Sequence, residues 1–448
     1  MTTALDAYEL KKARLAARLR SASAAGVRLA KDTSNLFRDR QATSGVRLDV
    51  RDFNQVLRVD PAEGLVEVEG MTRYVDLTAA CLAHGVMPAV VPQLKSITIG
   101  GAISGVGIES SSFKYGLVHE TVRELEILLA DGSTVVASPD NAHRDLFFGF
   151  PNSYGTLGYA LKVKAKVVPV KPYVHLTHLR HHDGRALSRD IAHWCEEPID
   201  FLDGVVFGRG EYYLTVGRFV DEAPYTSDYT FERIYYRSIR ERTEDYLTTA
   251  DYLWRWDTDW FWCSKNLLAQ NPTIRRIYGR DRLNSLTYTK IMRWNARWQL
   301  VRRLQRLLGV HSESVIQDVD IPLARSAEFL DFYLDTIRFT PVWLCPICSW
   351  DRTRRFTLYP IDPDSTYVNF GFWDVIRHHG EHPPGHFNRL VEARVRELGG
   401  IKSLYSDVYF TPEEFWSAYN RPAYEALKAR YDPEGRLREL YAKCVLKE

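Results

Sequence analysis

PQLKSITIGGAISGVGIESSSFKYGLVHETVRELEILLADGSTVVASPDNAHRDLFFGFPNSYGTLG, residues 92–158, is the stretch that decides the fold. Glycines at 100, 101, 105 and 107 stand among small and branched residues, and Ser110, Ser111 and Ser112 follow before Lys114-Tyr115-Gly116. Glycine has no side chain and tolerates positive φ, so such a run lets backbone approach a ligand and present N–H groups. An anionic pyrophosphate is the ligand that gains most from that arrangement. The spacing matches neither the Rossmann fingerprint nor the Walker loop, so neither mechanism transfers. The candidate cofactor contacts are Thr98, Gly100, Gly101, Ser104, Gly105, Gly107, Ser110 and Ser111, with Gly155 and Gly158 from the closing GTLG. Some of these hydroxyls cap local backbone instead. Lys114 has either a phosphate or bulk water to face.

Downstream, Val122 to Leu129 reads as a strand, Ala130-Asp131-Gly132-Ser133 as a turn and Thr134 to Ala137 as the returning strand of a hairpin. Asp145 to Phe148 begins a short helix, and the GTLG leads into a long strand ending near Val170. This order of glycine loop, small-residue run, LADG hairpin and GTLG resembles the vanillyl-alcohol oxidase superfamily of FAD enzymes. The nearer resemblance is to its Δ24-sterol reductase (diminuto-like) branch. It rests on Gly107-Ile108-Glu109-Ser110-Ser111-Ser112, Lys114-Tyr115-Gly116, Pro341 to Pro346 (PVWLCP), Leu404 to Tyr409 (LYSDVY) and Glu414-Phe415-Trp416. It spans the chain from about residue 28 onward.

The resemblance implies an α+β protein with a two-subdomain, PCMH-type FAD-binding domain and an inserted substrate (cap) domain of antiparallel sheet and helices. A composition shift after Lys171-Pro172 sets the boundaries at 1–171 for the FAD-binding domain and 172–400 for the cap. Residues 401–448 form a returning segment that includes the turn Asp432-Pro433-Glu434-Gly435. The resemblance also implies NADPH as electron donor and reduction of an isolated carbon–carbon double bond. In the superfamily, the loop at Lys31 to Asn35 touches the pyrophosphate and often bears a histidine bonded to the flavin. The first histidine here is His84, so the expectation is FAD without a covalent link from that loop.

A length of 448 residues exceeds one ordinary core and predicts two packed domains. A net charge of +2 gives no global electrostatic case for nucleic acid. The six cysteines are scattered and form no disulfide framework. Cys345 and Cys348 have zinc-like spacing without a second pair nearby, so they read as small apolar residues in a strand and no metal is expected. No apolar run reaches the ~20 residues needed to span a bilayer, and the N-terminus lacks a signal-peptide h-region. The expectation is a cytoplasmic protein, peripheral to the inner membrane face.

Residues 5–20 read as an amphipathic helix. Val46 to Val50 and Gly64 to Glu69 read as strands, with a helix from Tyr74 to Gly85. Val174 to Leu179, Gly204 to Gly208 and Tyr212 to Arg218 read as strands covering the cofactor, and 235–309 as helical, rich in basic and aromatic residues. Within it Trp294, Trp298, Val301, Leu304 and Leu308 share a face flanked by Arg293, Arg297, Arg302, Arg303 and Arg306. Such a helix suits an anionic membrane surface; it equally suits packing on its own protein with a solvated basic face. Val315 to Ile321, Val342 to Cys348, Phe356 to Pro360 and Tyr367 to Phe372 read as further strands, with helices at 324–338 and 387–398.

An unactivated alkene has no carbonyl to stabilise a carbanion, so its reduction runs through positive charge on carbon. The site therefore needs a carboxylic acid kept protonated by an apolar pocket and aromatic faces near the developing cation. Asp318 and Asp407 are the candidates in apolar strands, Glu109 lies in the glycine stretch, and Tyr115 and Tyr409 have hydroxyls to donate. Each carboxylate has a salt bridge or turn contact as its ordinary alternative. Sterol side chains and methylene-branched fatty acyl chains both offer such an alkene. The resemblance to bacterial relatives implies the acyl substrate and a methyltransferase partner. The alternatives are an FAD-dependent oxidase or dehydrogenase of an alcohol or hydroxy acid, and a lipid-binding module that has lost its flavin. His378, His379 and His382 lie in a proline- and glycine-rich loop and receive no role.

Overall fold

The computed structural model describes residues 4–21, 26–31, 45–298, 311–378, 380 and 382–447. The loop expected to touch the pyrophosphate at 32–35 lies outside them. So do residues 299–309 of the basic aromatic segment, along with the side chains of 293–298.

Two sheets organise the chain. β1 (Val27–Ala30) and β2 (Val46–Asp49) pair in parallel. A larger antiparallel sheet is built from β3 (Val56–Asp60), β4 (Leu65–Glu69), β5 (Val86–Pro88), β6 (Val122–Leu128), β7 (Thr134–Ala137) and β8 (Tyr159–Pro169). Its order is β3-β4-β8-β6-β7, with β5 pairing the end of β8. The LADG turn forms the hairpin of β6 and β7, with Leu125 opposite Ala137 and Leu128 opposite Thr134. The N-terminal helix Ala4–Arg20 buries Tyr8, Leu15 and Leu19 in a small core shared with Leu48, Leu128 and Leu161.

The second sheet contains β9 (Tyr173–His181), β10 (Phe201–Gly208), β11 (Glu211–Val220), β12 (Glu244–Thr248), β13 (His311–Pro322), β14 (Val342–Ile347), β15 (Tyr367–His378) and β16 (Ile401–Lys402). Its order is β12-β9-β11-β10-β14-β15-β13-β16, antiparallel throughout. Side chains alternate between the faces of a strand, and here both faces are buried in different cores. Val315, Val319, Val342, Leu344, Phe370 and Phe372 face helices that include Gly184–Glu196, Ser326–Thr336 and His386–Glu397. Trp343, Cys345, Ile347 and Trp373 point the other way, into the core shared with the glycine stretch. That alternation sends Asp318, two residues from Ile316, to the glycine-stretch side.

Three expectations differ. Phe356 to Pro360 is a turn, tied by the Thr357 N–H to the Phe148 carbonyl. The segment expected to be wholly helical contains β12, which completes the sheet edge against β9. β16 pairs with β13, so the cap sheet extends past residue 400. Beyond it, helix Arg421–Tyr431 docks on helix Arg144–Gly149, where Tyr431 donates to Asp145 at 2.7 Å.

Candidate active site between the two sheets

A cavity of about 510 Å³ opens between the two units, within the range of ligand pockets. Its first wall is the glycine stretch: Thr98, Gly100, Gly101, Ser104, Gly105 and Gly107 line it, with Gly70, Gly155 and Gly158. Here Ile99–Ser104 is a short helix rather than an open loop, and the Thr98 hydroxyl accepts the Gly101 N–H at 3.3 Å. Its glycines are needed for close approach, not for positive φ. A Cβ at Gly100 would stand 2.7 Å from the Gly70 carbonyl oxygen. At Gly158 the backbone does sit at φ +136, and a Cβ would meet Ile127 at 2.6 Å.

The opposite wall is aromatic. Trp343 on β14 and Asp318 on β13 both pair in register with Gly371 on β15, the strand between them. One row across the sheet thus reads tryptophan, glycine, aspartate, and the glycine is forced: a Cβ there would lie 2.7 Å from Asp318 Oδ1. Trp260 and Phe261 complete the wall from a tight loop in which both adopt left-handed backbone, φ 45 and 58. The Phe261 ring lies 4.4 Å from Trp373 and 5.5 Å from Trp343. Conformations of this kind in bulky residues persist only where surrounding packing imposes them.

Asp318 faces this cavity. Burial pushes its carboxyl up to about 7, the Tyr405 hydroxyl that donates to it opposes the shift, and Asp320 adds to it. The Trp373 indole N–H in turn donates to the Tyr405 oxygen at 2.7 Å, orienting that hydroxyl. Asp318 Oδ1 has no hydrogen-bond partner among the described residues. Asp320, two residues on, accepts from Tyr359 and Asn369 at 2.7 Å each, and burial raises it to about 6.

Glu109 also lines the cavity but is tied into a buried network. The Gln93 side chain donates to it, and Arg255 bridges it at 3.4 Å to Asp203 at 2.7 Å. Burial lifts Glu109 to about 7, opposed chiefly by Arg255. The Trp256 and Trp343 indoles donate to Asp203 at 3.3 and 3.2 Å, so the network also fixes the aromatic wall.

Six basic side chains line the same cavity: Arg28, Lys31, Arg47, Arg438, Lys443 and Lys447. They come from β1 and the residue after it, from β2 and from the C-terminal segment. Among the described residues that line the cavity, the carboxyls are those of Glu109 and Asp318, both held toward the protonated form, while Lys447 also meets Asp407 at 2.8 Å.

Residues 11–138 match the model of an FAD binding domain. The chain is 28% identical to the Delta(24)-sterol reductase of Homo sapiens over 408 residues, covering 87% of this chain and 75% of that protein. It is 26% identical to the Arabidopsis thaliana Delta(24)-sterol reductase over 88% of this chain and 76% of that one. A putative D-arabinono-1,4-lactone oxidase of Neurospora crassa is 36% identical, over only 29% of this chain. The chain thus carries an FAD-binding domain and is similar to Delta(24)-sterol reductases over most of its length. It is an FAD-binding oxidoreductase of α+β, PCMH-type fold.

The cavity fits that cofactor. The glycine wall leaves room at main-chain distance, the six cations complement a pyrophosphate, and the aromatic wall provides an apolar chamber. Of the ten cofactor contacts expected from sequence, eight line the cavity. Ser110 and Ser111 do not: Ser110 is hydrogen-bonded to the Tyr252 hydroxyl at 2.9 Å, and Ser111 donates to the Ala89 carbonyl at 2.8 Å. Of the five candidate acids, Asp318 and Glu109 line it. Asp407 lies outside, paired with Lys447 at 2.8 Å. Tyr409 lies outside as well, its ring under Arg389, and Tyr115 packs against Lys166. Lys114 meets Asp200 at 3.1 Å instead of a phosphate. The expectations missed Tyr405, although it sits in the LYSDVY motif. They also missed Trp343, Trp373 and the C-terminal cations, which converge only through strand register and chain return.

Proposed function

We propose that this protein reduces an isolated carbon–carbon double bond in a lipid, with non-covalently held FAD and with NADPH as electron donor. The observation that carries the reading is Asp318: a carboxyl kept protonated toward neutral pH, on the aromatic side of a cavity whose other side is bare main chain. Thr98, the backbone of the glycine stretch and the six cations hold the dinucleotide. When bound, FAD supplies the hydride. Asp318 delivers a proton to the less substituted alkene carbon, leaving positive charge on the tertiary one. The faces of Trp260, Phe261, Trp343 and Trp373 stabilise that charge and keep water from it. Tyr405, held by Trp373, fixes the carboxyl and is a positioning residue.

The substrate is a branched alkene on an apolar chain: a methylene-branched fatty acyl chain, or a sterol side chain as the relatives' names state for them. A methyltransferase is the class of enzyme that produces the former, and is the partner we propose. The basic, tryptophan-bearing segment 291–308 brings the protein to an anionic bilayer at its cytoplasmic face. Flotation with phosphatidylglycerol vesicles tests this, and absence of any retention overturns it.

Turnover in heavy water tests the chemistry. Deuterium should appear on the less substituted carbon; deuterium on the more substituted carbon contradicts the assignment of Asp318. Anaerobic mixing with NADPH should bleach the flavin, whereas an alcohol oxidase would keep its colour until given its own substrate. Acid precipitation should release the flavin to the supernatant.

A further inference from the structure

Next to the aromatic wall stands a ring that does not itself line the cavity. Tyr288, in helix Ser285–Trp298, is wholly buried. Its ring lies parallel to that of Trp260, with 8° between the planes and 6.4 Å between the centroids. Tyr278 packs edge-on against Tyr288 at 6.5 Å and is only half-buried. The contacts run from the cavity through Trp260 and Tyr288 to a ring near the surface.

The loop that carries Trp260 is tied down at the three residues before it. Asp257 accepts the Lys95 N–H at 2.9 Å and the Ser285 hydroxyl. The Tyr288 hydroxyl donates to the Thr258 carbonyl at 2.7 Å. Asp259 takes a two-point contact from the Arg275 guanidinium, at 2.6 and 2.9 Å. These bonds fix the backbone beneath Trp260 and leave its indole to be placed by packing, in an interior as dense as an organic crystal. The Tyr288 ring fills the space that the indole would otherwise enter.

We propose, on the reading of the cavity as a lipid chamber, that Tyr288 is a positioning residue that sets substrate width through Trp260. It keeps the indole forward and the chamber narrow, so that a flexible single chain is taken in preference to a rigid fused-ring one. A polymethylene chain fits a narrow space by rotating its single bonds, whereas a fused-ring skeleton needs the wall itself to yield. A shorter side chain at 288 leaves a void that its surroundings fill only in part, and retreat of the indole into that void widens the chamber.

The flavin-loaded full chain is titrated with two fluorescent probes, cis-parinaric acid as the flexible chain and dehydroergosterol as the fused-ring one. The ratio of their dissociation constants is the readout. In the unmutated protein cis-parinaric acid should bind the tighter. Tyr288→Leu should shift the ratio toward dehydroergosterol by about tenfold, with flavin retained. Tyr288→Met, whose unbranched side chain adapts to irregular gaps, carries the same expectation should the leucine variant lose its flavin. Tyr288→Phe keeps the ring and should leave the ratio within about twofold. Trp260→Ala should shift the ratio by itself, and Tyr288→Leu added to it should change nothing more. An unchanged ratio in the flavin-loaded leucine or methionine variant, a further shift in the double variant, or tighter binding of dehydroergosterol by the unmutated protein would overturn the role of Tyr288 and leave the lipid chamber standing. An unmutated protein that binds neither probe would overturn both.

Discussion

Asp318 concentrates the chemistry at the scale of one residue. Asp318→Asn keeps the shape but cannot release a proton, so turnover should fall about 10²–10⁴-fold while flavin absorbance is retained. Because burial lifts this carboxyl to about 7, activity should be full below pH 7 and fall as pH rises through it. Tyr405→Phe removes the hydrogen bond that opposes the lift, so the alkaline limb should move to higher pH. An unchanged pH profile in that variant would contradict the Tyr405–Asp318 contact. The same shift bears on stability. The folded protein holds this proton more tightly than the unfolded chain, whose carboxyl has an ordinary value of 3.8. Its contribution is full below that value and is lost as pH rises to about 7, a change on the order of 4 kcal/mol. Thermal melts of Asp318→Asn from pH 4 to pH 8 should therefore decline less than those of the unmutated protein. Apolar neighbours in the sequence pointed to Asp318 but pointed equally to Asp407. What separates the two is that Asp407 has Lys447 beside it.

At the scale of elements, the helix Ile99–Ser104 is pressed against the turn after β4. The Gly100 N–H donates to the Gly70 carbonyl at 2.9 Å, and the same oxygen stands where a Cβ would go. Gly100→Ala has only backbone to displace. It should cost about 1–3 kcal/mol and lower the flavin content of purified protein; flavin bound at full stoichiometry would show that the wall tolerates a methyl. The element pattern was readable because hairpin turn, glycine run and alternating strands are local signals. β12 escaped because its five residues gain strand character only from pairing with β9. The expected strand at Phe356 to Pro360 failed for the converse reason: its backbone turns and is tied to the Phe148 carbonyl instead of pairing with a strand.

At the scale of the molecule, the cavity belongs to neither unit alone: one contributes bare main chain, the other aromatic rings and a carboxyl. A ligand bound there stabilises the folded state by mass action. Removing FAD should lower the melting temperature, by the equivalent of about 2.7 kcal/mol when free FAD stands at a hundred times its Kd. Calorimetry of apo and reloaded protein checks this; equal melting temperatures would mean that the cavity is not the flavin site. The basic residues that line it come from β1 and the residue after it, from β2 and from the last eleven residues, so a C-terminal truncation before Arg438 should weaken flavin retention before it unfolds the cap.

The sequence by itself determined the FAD-binding half, the antiparallel cap and eight of the ten expected wall residues. Those depend on glycines, turns and two-residue alternation that are written in neighbouring positions. Only the tertiary structure decided which acid faces the cavity, which serines serve the fold and which tryptophans form the opposite wall. Burial, partner charge and cross-strand register are set by residues tens of positions away or more, and no local pattern encodes them.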